Sequence, residues 1–237
     1  MPINQSVVIP MLQPDSLSLG DFLDELKAIG FPSVELWSTE DDFESIIEAA
    51  SARDLRVVSM VGHVHESPTD GSHAEGFSRR SNHDRLEAEL RDSIDIAVKY
   101  NMPGVITLSG HRNPGESDSE TLDICAEGLR RIAPYAEEQG LNLNMELLNS
   151  TVDHPHYICD KTDWAVEPCE RVNRPRCKIF YDVYHMQIME GNLIRNLRRA
   201  AKWIGHYYTA GVPGRHDLDD LQEINYRGVA QAIAATS

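Results

Sequence analysis

Leu143-Asn144-Met145-Glu146-Leu147-Leu148 sets a single carboxylate in an apolar run, and about 35 residues later Phe180-Tyr181-Asp182-Val183-Tyr184-His185 does the same with an aspartate. Both runs are short and apolar without strict alternation, which is how strands buried on both faces read. Each acid stands near the C-terminal end of its run, and a histidine follows the second acid by three residues. Strands in a repeating strand–helix chain run parallel and finish on one face, so the acids are expected to converge there.

Outward from these two runs the chain repeats the same alternation. Further strand patterns lie at 6–9, 33–36, 56–60, 105–108 and 205–210, beside 142–147 and 178–182 for the two runs themselves. Helical patterns separate them. Residues 19–29 carry Phe22, Leu23, Leu26 and Ile29 toward one side and stop at Gly30. The pattern recurs at 43–52, 86–99, 122–138, 162–172, 193–202 and 226–235, with Asn82 as the expected N-cap of the third.

Strand–helix units in unbroken order call for a parallel sheet with right-handed crossovers. A single (β/α)8 TIM barrel over residues 1–237 fits best, with an open doubly wound sheet as the alternative. The open sheet is disfavoured because Pro10-Met11-Leu12-Gln13-Pro14, not a glycine-rich phosphate loop, follows the first strand. A barrel also explains where the polar segments fall. Gly62-His63-Val64-His65, Ser109-Gly110-His111-Arg112, Asn149-Ser150, Tyr184-His185 and Pro213-Gly214-Arg215-His216 all follow strand ends. The alternation provides for seven strands, so a barrel lacking its eighth strand at the C-terminus is expected, with unpaired edges on the first and seventh.

Composition narrows the function classes. A formal net charge of -16 over 237 residues argues against a binder of nucleic acid or of membrane surfaces. There is no apolar run of spanning length, and Met1-Pro2-Ile3-Asn4-Gln5 does not read as a signal peptide. Cys125, Cys159, Cys169 and Cys177 lack metal-binding spacing, and reduced thiols in a cytoplasmic protein are expected.

Converging carboxylates suit a hard divalent cation, Mn or Mg, with Co as a further option once an imidazole joins. Such a site can polarise the adjacent oxygens of a hydroxy-carbonyl compound and stabilise the ene-diolate left when a base removes the neighbouring carbon-bound proton. Glu146 is the candidate base as well as a ligand with Asp182; His185 and Arg215 are candidate donors to substrate oxygens. Plainer roles compete for each residue. Glu146 alone reads as a buried ion-pair partner, Asp182 as an Asx-turn or helix N-cap, and His185 as a satisfied structural histidine. Arg215 has Asp217, Asp219 and Asp220 as ready partners. His63, His65, His111 and Arg112 read equally well as packing or surface groups, and Tyr157, Trp164 and Trp203 as packing.

Met145-Glu146-Leu147-Leu148-Asn149, Phe180-Tyr181-Asp182-Val183-Tyr184-His185-Met186-Gln187 and the segment from Gly205 to His216 resemble the hydroxypyruvate isomerase family of the xylose-isomerase-like barrels. Asn82-His83-Asp84-Arg85 and Gln222-Glu223-Ile224-Asn225-Tyr226 extend the likeness over nearly the whole chain. The resemblance implies a metal held by a Glu on strand five, an Asp on strand six, a His or Gln on strand seven and a Glu on strand eight. Glu146 and Asp182 match the first two, and His185 and Arg215 match the substrate-contacting pair. The third position falls on Tyr208, a poor ligand as a neutral phenol, and the fourth has no counterpart. His206 shares the strand face of Tyr208 about 6.6 Å deeper and is a doubtful substitute.

The expected function is therefore a metal-dependent isomerase of hydroxypyruvate or a related sugar, with reduced metal affinity and impaired turnover. A ketose 3-epimerase and a non-catalytic sugar-binding remnant are the alternatives. A nuclease of the endonuclease IV type would need more ligands and a basic groove. The expected partners are a small hydroxy-carbonyl substrate and further copies of the chain, which an open seam would favour.

Overall fold

Each expected strand forms, starting within one residue of its expected limit and ending within three. The computed structural model describes residues 3–37, 42–62 and 75–236; His63 and His65 fall outside the described residues. β1 (Ser6–Val8) turns directly into a short helix, α1 (Ile9–Leu12), which takes Ile9 from the expected strand; Pro10 in its first turn already has a helical φ and needs no donor there. α2 (Leu19–Ile29) is capped by the Ser18 side chain, which accepts from Asp21 N, and ends at Gly30 with φ 104°. It buries Phe22, Leu23 and Leu26, but Ile29, in the last turn before Gly30, is 71% exposed.

The rest follows in order: β2 (Ser33–Glu35), α3 (Phe43–Ser51), β3 (Arg56–Val57), α4 (His83–Lys99), β4 (Gly104–Thr107), α5 (Asp118–Glu138), β5 (Asn142–Glu146), α6 (Thr162–Val172), β6 (Cys177–Asp182), α7 (Val183–Met189), α8 (Leu193–Ala200), β7 (Ile204–Tyr208) and α9 (Tyr226–Ala234). Asn82 does precede α4, yet its amide donates to Gly76 O at 3.2 Å instead of capping the helix. α5 starts earlier than its apolar pattern because Ser117 and Glu120 form a reciprocal capping box. α7 adds a helix to the periodic patterns and starts at Asp182, in the N-cap role of its plainer reading: the carboxylate accepts from His185 N at 3.0 Å.

Every strand pairing is parallel, in the orders β1-β2-β3 and β4-β5-β6-β7. The two runs join through backbone bonds from Gly62 N and to Met60 O on either side of Ile106. The sheet then curls on itself: His206 Nε2 on β7 reaches both oxygens of Glu35 on β2, at 3.1 and 3.0 Å. This is the (β/α)8 barrel architecture, with seven strands among the described residues and no backbone pairing between β7 and β1 among them.

Leu23, Leu86, Leu90, Ile94, Val105, Leu129, Leu143 and Ile179 are almost wholly buried in the layer between strands and helices. Each such aliphatic side chain contributes ~1.5–3 kcal/mol by leaving water. The other strand face is unusually polar and brings Glu35, Asn144, Glu146, Asp182, His206 and Tyr208 into the interior. A bulge in β7 makes room for it: Ile204 faces Ile179 and His206 faces Phe180, leaving Gly205 as the extra residue. A Cβ on Gly205 would meet Asn144 Oδ1 at 2.1 Å, so only glycine fits there. The four cysteines are buried and unbridged. No helix among the described residues is long and apolar enough to cross a membrane.

Candidate active site

Glu146 is the last residue of β5 and Asp182 the last of β6, so both carboxylates emerge at the same rim of the sheet. Glu146 is 8% exposed, and burial pushes its pKa up from 4.5 to about 8. The neighbouring charges of Asp182 and Glu35 add to that rise, and Arg215 opposes it. Its backbone is held by Tyr157, whose hydroxyl donates to Glu146 O and accepts from Ser109 N, both at 3.0 Å. Tyr157 is thus packing, as its plainer reading has it, but packing that anchors the strand end.

Asp182 fills two roles at once. One carboxylate oxygen caps α7 through His185 N; the other lies 3.6 Å from His185 Nε2 and 3.8 Å from Arg215 Nη2. Arg215 therefore faces Asp182 at the rim, although Asp217, Asp219 and Asp220 follow it in sequence. It sits at φ 58°, after Gly214 at φ 84°, in a turn closed by paired backbone bonds between Gly211 and His216. Gly211 is needed here, because a Cβ would meet Asp217 O at 2.4 Å.

His185 is wholly buried, and burial lowers its pKa; Asp182 and Asp153 oppose that shift and Arg215 reinforces it. Its tautomer follows from Asn149. The Asn149 carbonyl oxygen accepts from Val152 N and Asp153 N, so its amide nitrogen donates to Asp153 Oδ2 and to His185 Nδ1, each at 2.7 Å. An imidazole that accepts at Nδ1 carries its proton on Nε2. That Nε2–H has no hydrogen-bond partner among the described residues, a costly state for a buried donor unless a ligand completes it.

Beside this rim opens a cavity of about 410 Å³. Asp153, His154, Tyr184 and Arg215 line it with polar groups, and Val152, Ile188, Val212 and Pro213 close its apolar side. The Arg215 guanidinium lies over the Tyr184 ring, 5.4 Å from its centre, and so links the cavity to Asp182.

Glu146, Asp182, His185 and Arg215 are thus brought together as expected. Tyr208 joins them: it ends β7 opposite Asp182, and its enclosed hydroxyl has no partner among the described residues. Burial holds its phenol well above its ordinary pKa, with Glu35, Glu146 and Asp182 adding to the effect. His206 is committed elsewhere, bound to Glu35, which also accepts from the Ser6 hydroxyl. Two contributors escape a sequence reading. Glu35 carries the same signal as Glu146, a lone acid ending an apolar strand, and Asp153 looks like an ordinary loop polar; Asn149 stands out in sequence only as a polar residue after a strand end. His111 remains at the rim, and Arg112 is a structural tie, donating to Tyr157 O and Asp160.

The described residues do not complete a protein cage for a metal. Among them no group of three or more His, Cys, Asp or Glu side chains comes together as one would need. Glu146 and Asp182 make two carboxylates, and the next strand contributes the protonated phenol of Tyr208.

The description of the xylose isomerase-like TIM barrel family matches residues 23–237. The chain is 35% identical over 147 residues to the 2-oxo-tetronate isomerase of Pectobacterium atrosepticum, covering 60% of this chain and 55% of that protein. It is 31% identical over 144 residues to the hydroxypyruvate isomerase of Escherichia coli, covering 59% and 55%. The matches thus span about half the length of these relatives. Among solved structures, the family 2 AP endonuclease of Brucella melitensis superposes with a TM-score of 0.80 at 22% identity, covering 99% of this chain and 90% of that one. At that identity the likeness shows the fold alone.

Proposed function

The chain belongs to the xylose isomerase-like TIM barrel family, and within it we propose a sugar-isomerase type of enzyme that moves a carbonyl between adjacent carbons of a small 2-oxo or 2-hydroxy acid. The observation that carries this reading is a buried carboxyl, Glu146, with a pKa near 8, set beside neutral and cationic donors. A base of that strength is matched to abstracting a proton next to a carbonyl near neutral pH. The names and identities of the two isomerase relatives support the same reaction class.

In this reading Glu146 takes the proton from the carbon beside the carbonyl and returns it to the neighbouring carbon. His185 Nε2–H donates to the oxygen that becomes negative, and the proton shared by the two substrate oxygens passes from one to the other. Asp182 holds His185 by its backbone and faces Arg215. Arg215, which already lines the cavity, pairs with the substrate carboxylate in a two-pronged contact.

The test is turnover of hydroxypyruvate and of four-carbon 2-oxo acids by the purified chain and by Arg215→Ala. The variant is expected to raise KM at least tenfold with a smaller change in kcat, since a carboxylate contact is made equally in ground and transition states. Inertness of the unaltered chain toward these acids and toward ketoses would leave the sugar-binding remnant in its place.

A divalent cation is a further part of this proposal. With two carboxylates as its protein ligands, Mn²⁺ is expected to bind in the millimolar rather than the micromolar range, and Glu146→Ala to remove that binding. Calorimetric titration reads both; tight binding that survives the substitution would place the ion elsewhere.

A further inference from the structure

We propose that Tyr208 is a catalytic hydrogen-bond donor whose hydroxyl binds the substrate oxygen that gains negative charge, acting together with His185 Nε2–H. The inference rests on the isomerase reading above.

Two enclosed polar atoms at this rim lack a partner among the described residues, Tyr208 Oη and His185 Nε2. They belong to neighbouring strands and the helix between them: Tyr208 pairs in register with Asp182, and Asp182 caps the turn that carries His185. Native proteins seldom leave such groups unsatisfied, and a ligand oxygen lying between the two would satisfy both. The Tyr208 ring stands edge-on to Phe180 and to His206, with centroids 4.3 and 5.8 Å apart, and these two contacts hold the ring in place.

Glu35 stands near enough to interact with the phenol but already accepts from Ser6 and from His206, and no carboxylate closes a hydrogen bond to its hydroxyl. If the ring served only to fill space, phenylalanine would do so without the cost of a buried hydroxyl. A phenol, neutral at ordinary pH, offers a donor without a charge, which is what a preorganised site for a developing oxyanion requires. The position is the one where the family resemblance implies a histidine or glutamine ligand. A phenol there exchanges a contact to a metal for a contact to the substrate.

Tyr208→Phe in the whole chain tests this. Three quantities are read: kcat and KM for hydroxypyruvate, the melting temperature, and the Kd of glycolohydroxamate, a small mimic of an ene-diolate. The proposal expects kcat to fall about a hundredfold, KM to stay within a few-fold, and the mimic to bind at least tenfold more weakly. It also expects a melting temperature that is unchanged or higher, because the substitution removes an unpaired buried group. Unchanged kcat and mimic affinity would overturn it. So would a variant that melts several degrees lower or fails to fold, since the hydroxyl would then have a structural partner. If neither protein turns over any acid or ketose, the isomerase reading falls by itself. The donor role is then decided by the mimic: weaker binding in the variant upholds it, and equal or absent binding in both overturns it.

Discussion

Glu146→Gln is expected to lower turnover about a thousandfold and, above pH 8, to leave the protein more stable than the unaltered chain. The two effects have one cause. Glu146 is buried beside Asp182 and Glu35, and its pKa rises from 4.5 to about 8. The folded state therefore holds a proton that the unfolded chain has already released between those values. Stability falls as pH rises through that window and levels off above it, the reverse of the usual salt-bridged carboxylate. The full shift corresponds to a penalty of ~5 kcal/mol above pH 8, an upper bound because water and side-chain movement relieve part of it.

Glutamine keeps the shape and removes the charge, at a cost of ~1–3 kcal/mol for an amide with imperfect partners. The net gain above pH 8 is then about 2–4 kcal/mol by the same bookkeeping, vanishing or reversing below pH 5. Denaturant melts of both proteins at pH 5, 7 and 9 measure it. A stability difference that does not change with pH would rule out the buried ionised carboxylate. Consistently, kcat/KM of the unaltered chain is expected to rise with pH until about 8, where the base loses its proton.

Asn149→Leu is expected to cost both stability and catalysis, for separable reasons. Asn149 is wholly buried and makes four hydrogen bonds, to Val152 N, Asp153 N, Asp153 Oδ2 and His185 Nδ1. Leucine has the same branching in a larger volume and leaves all four groups without their partner, for a loss of ~2–4 kcal/mol. The catalytic effect comes through the last bond alone. Without a donor at Nδ1, the imidazole proton moves to that nitrogen, and Nε2 presents a lone pair to a substrate oxygen. Two acceptors then face each other, and kcat is expected to fall on the order of a hundredfold. Nitrogen NMR of His185 distinguishes the tautomers, and kcat measured well below the melting temperature separates chemistry from unfolding. A variant with the original tautomer and full kcat would show that Asn149 is structural only.

The chemistry was partly legible beforehand. Glu146, Asp182, His185 and Arg215 stand at strand ends, and a parallel sheet in sequence order has to bring such ends together. Glu35 carries the same mark on a shorter run, Val34-Glu35-Leu36. Its role depends on His206, 171 residues away, and on Ser6, neither of which its own strand reveals. Tyr208 was read as a loss. Whether a phenol is a failed ligand or a positioned donor turns on whether its hydroxyl has a partner, and that is decided by Phe180, His206 and the carboxylates around it.

What the sequence determined alone is local in origin. Apolar periodicity, glycine stops and cap residues act over a few positions, so the strands, the helices and their order could be read directly, and with the order came the barrel and the rim that holds the acids. What only the tertiary structure decided is the state of the groups at that rim. The proton on Glu146, the tautomer of His185, the orientation of Arg215 toward Asp182 and the unpaired hydroxyl of Tyr208 arise from burial and from contacts between strands distant in the chain. Electrostatic and hydrogen-bonding energies depend on separations of a few ångströms, and sequence spacing does not encode those.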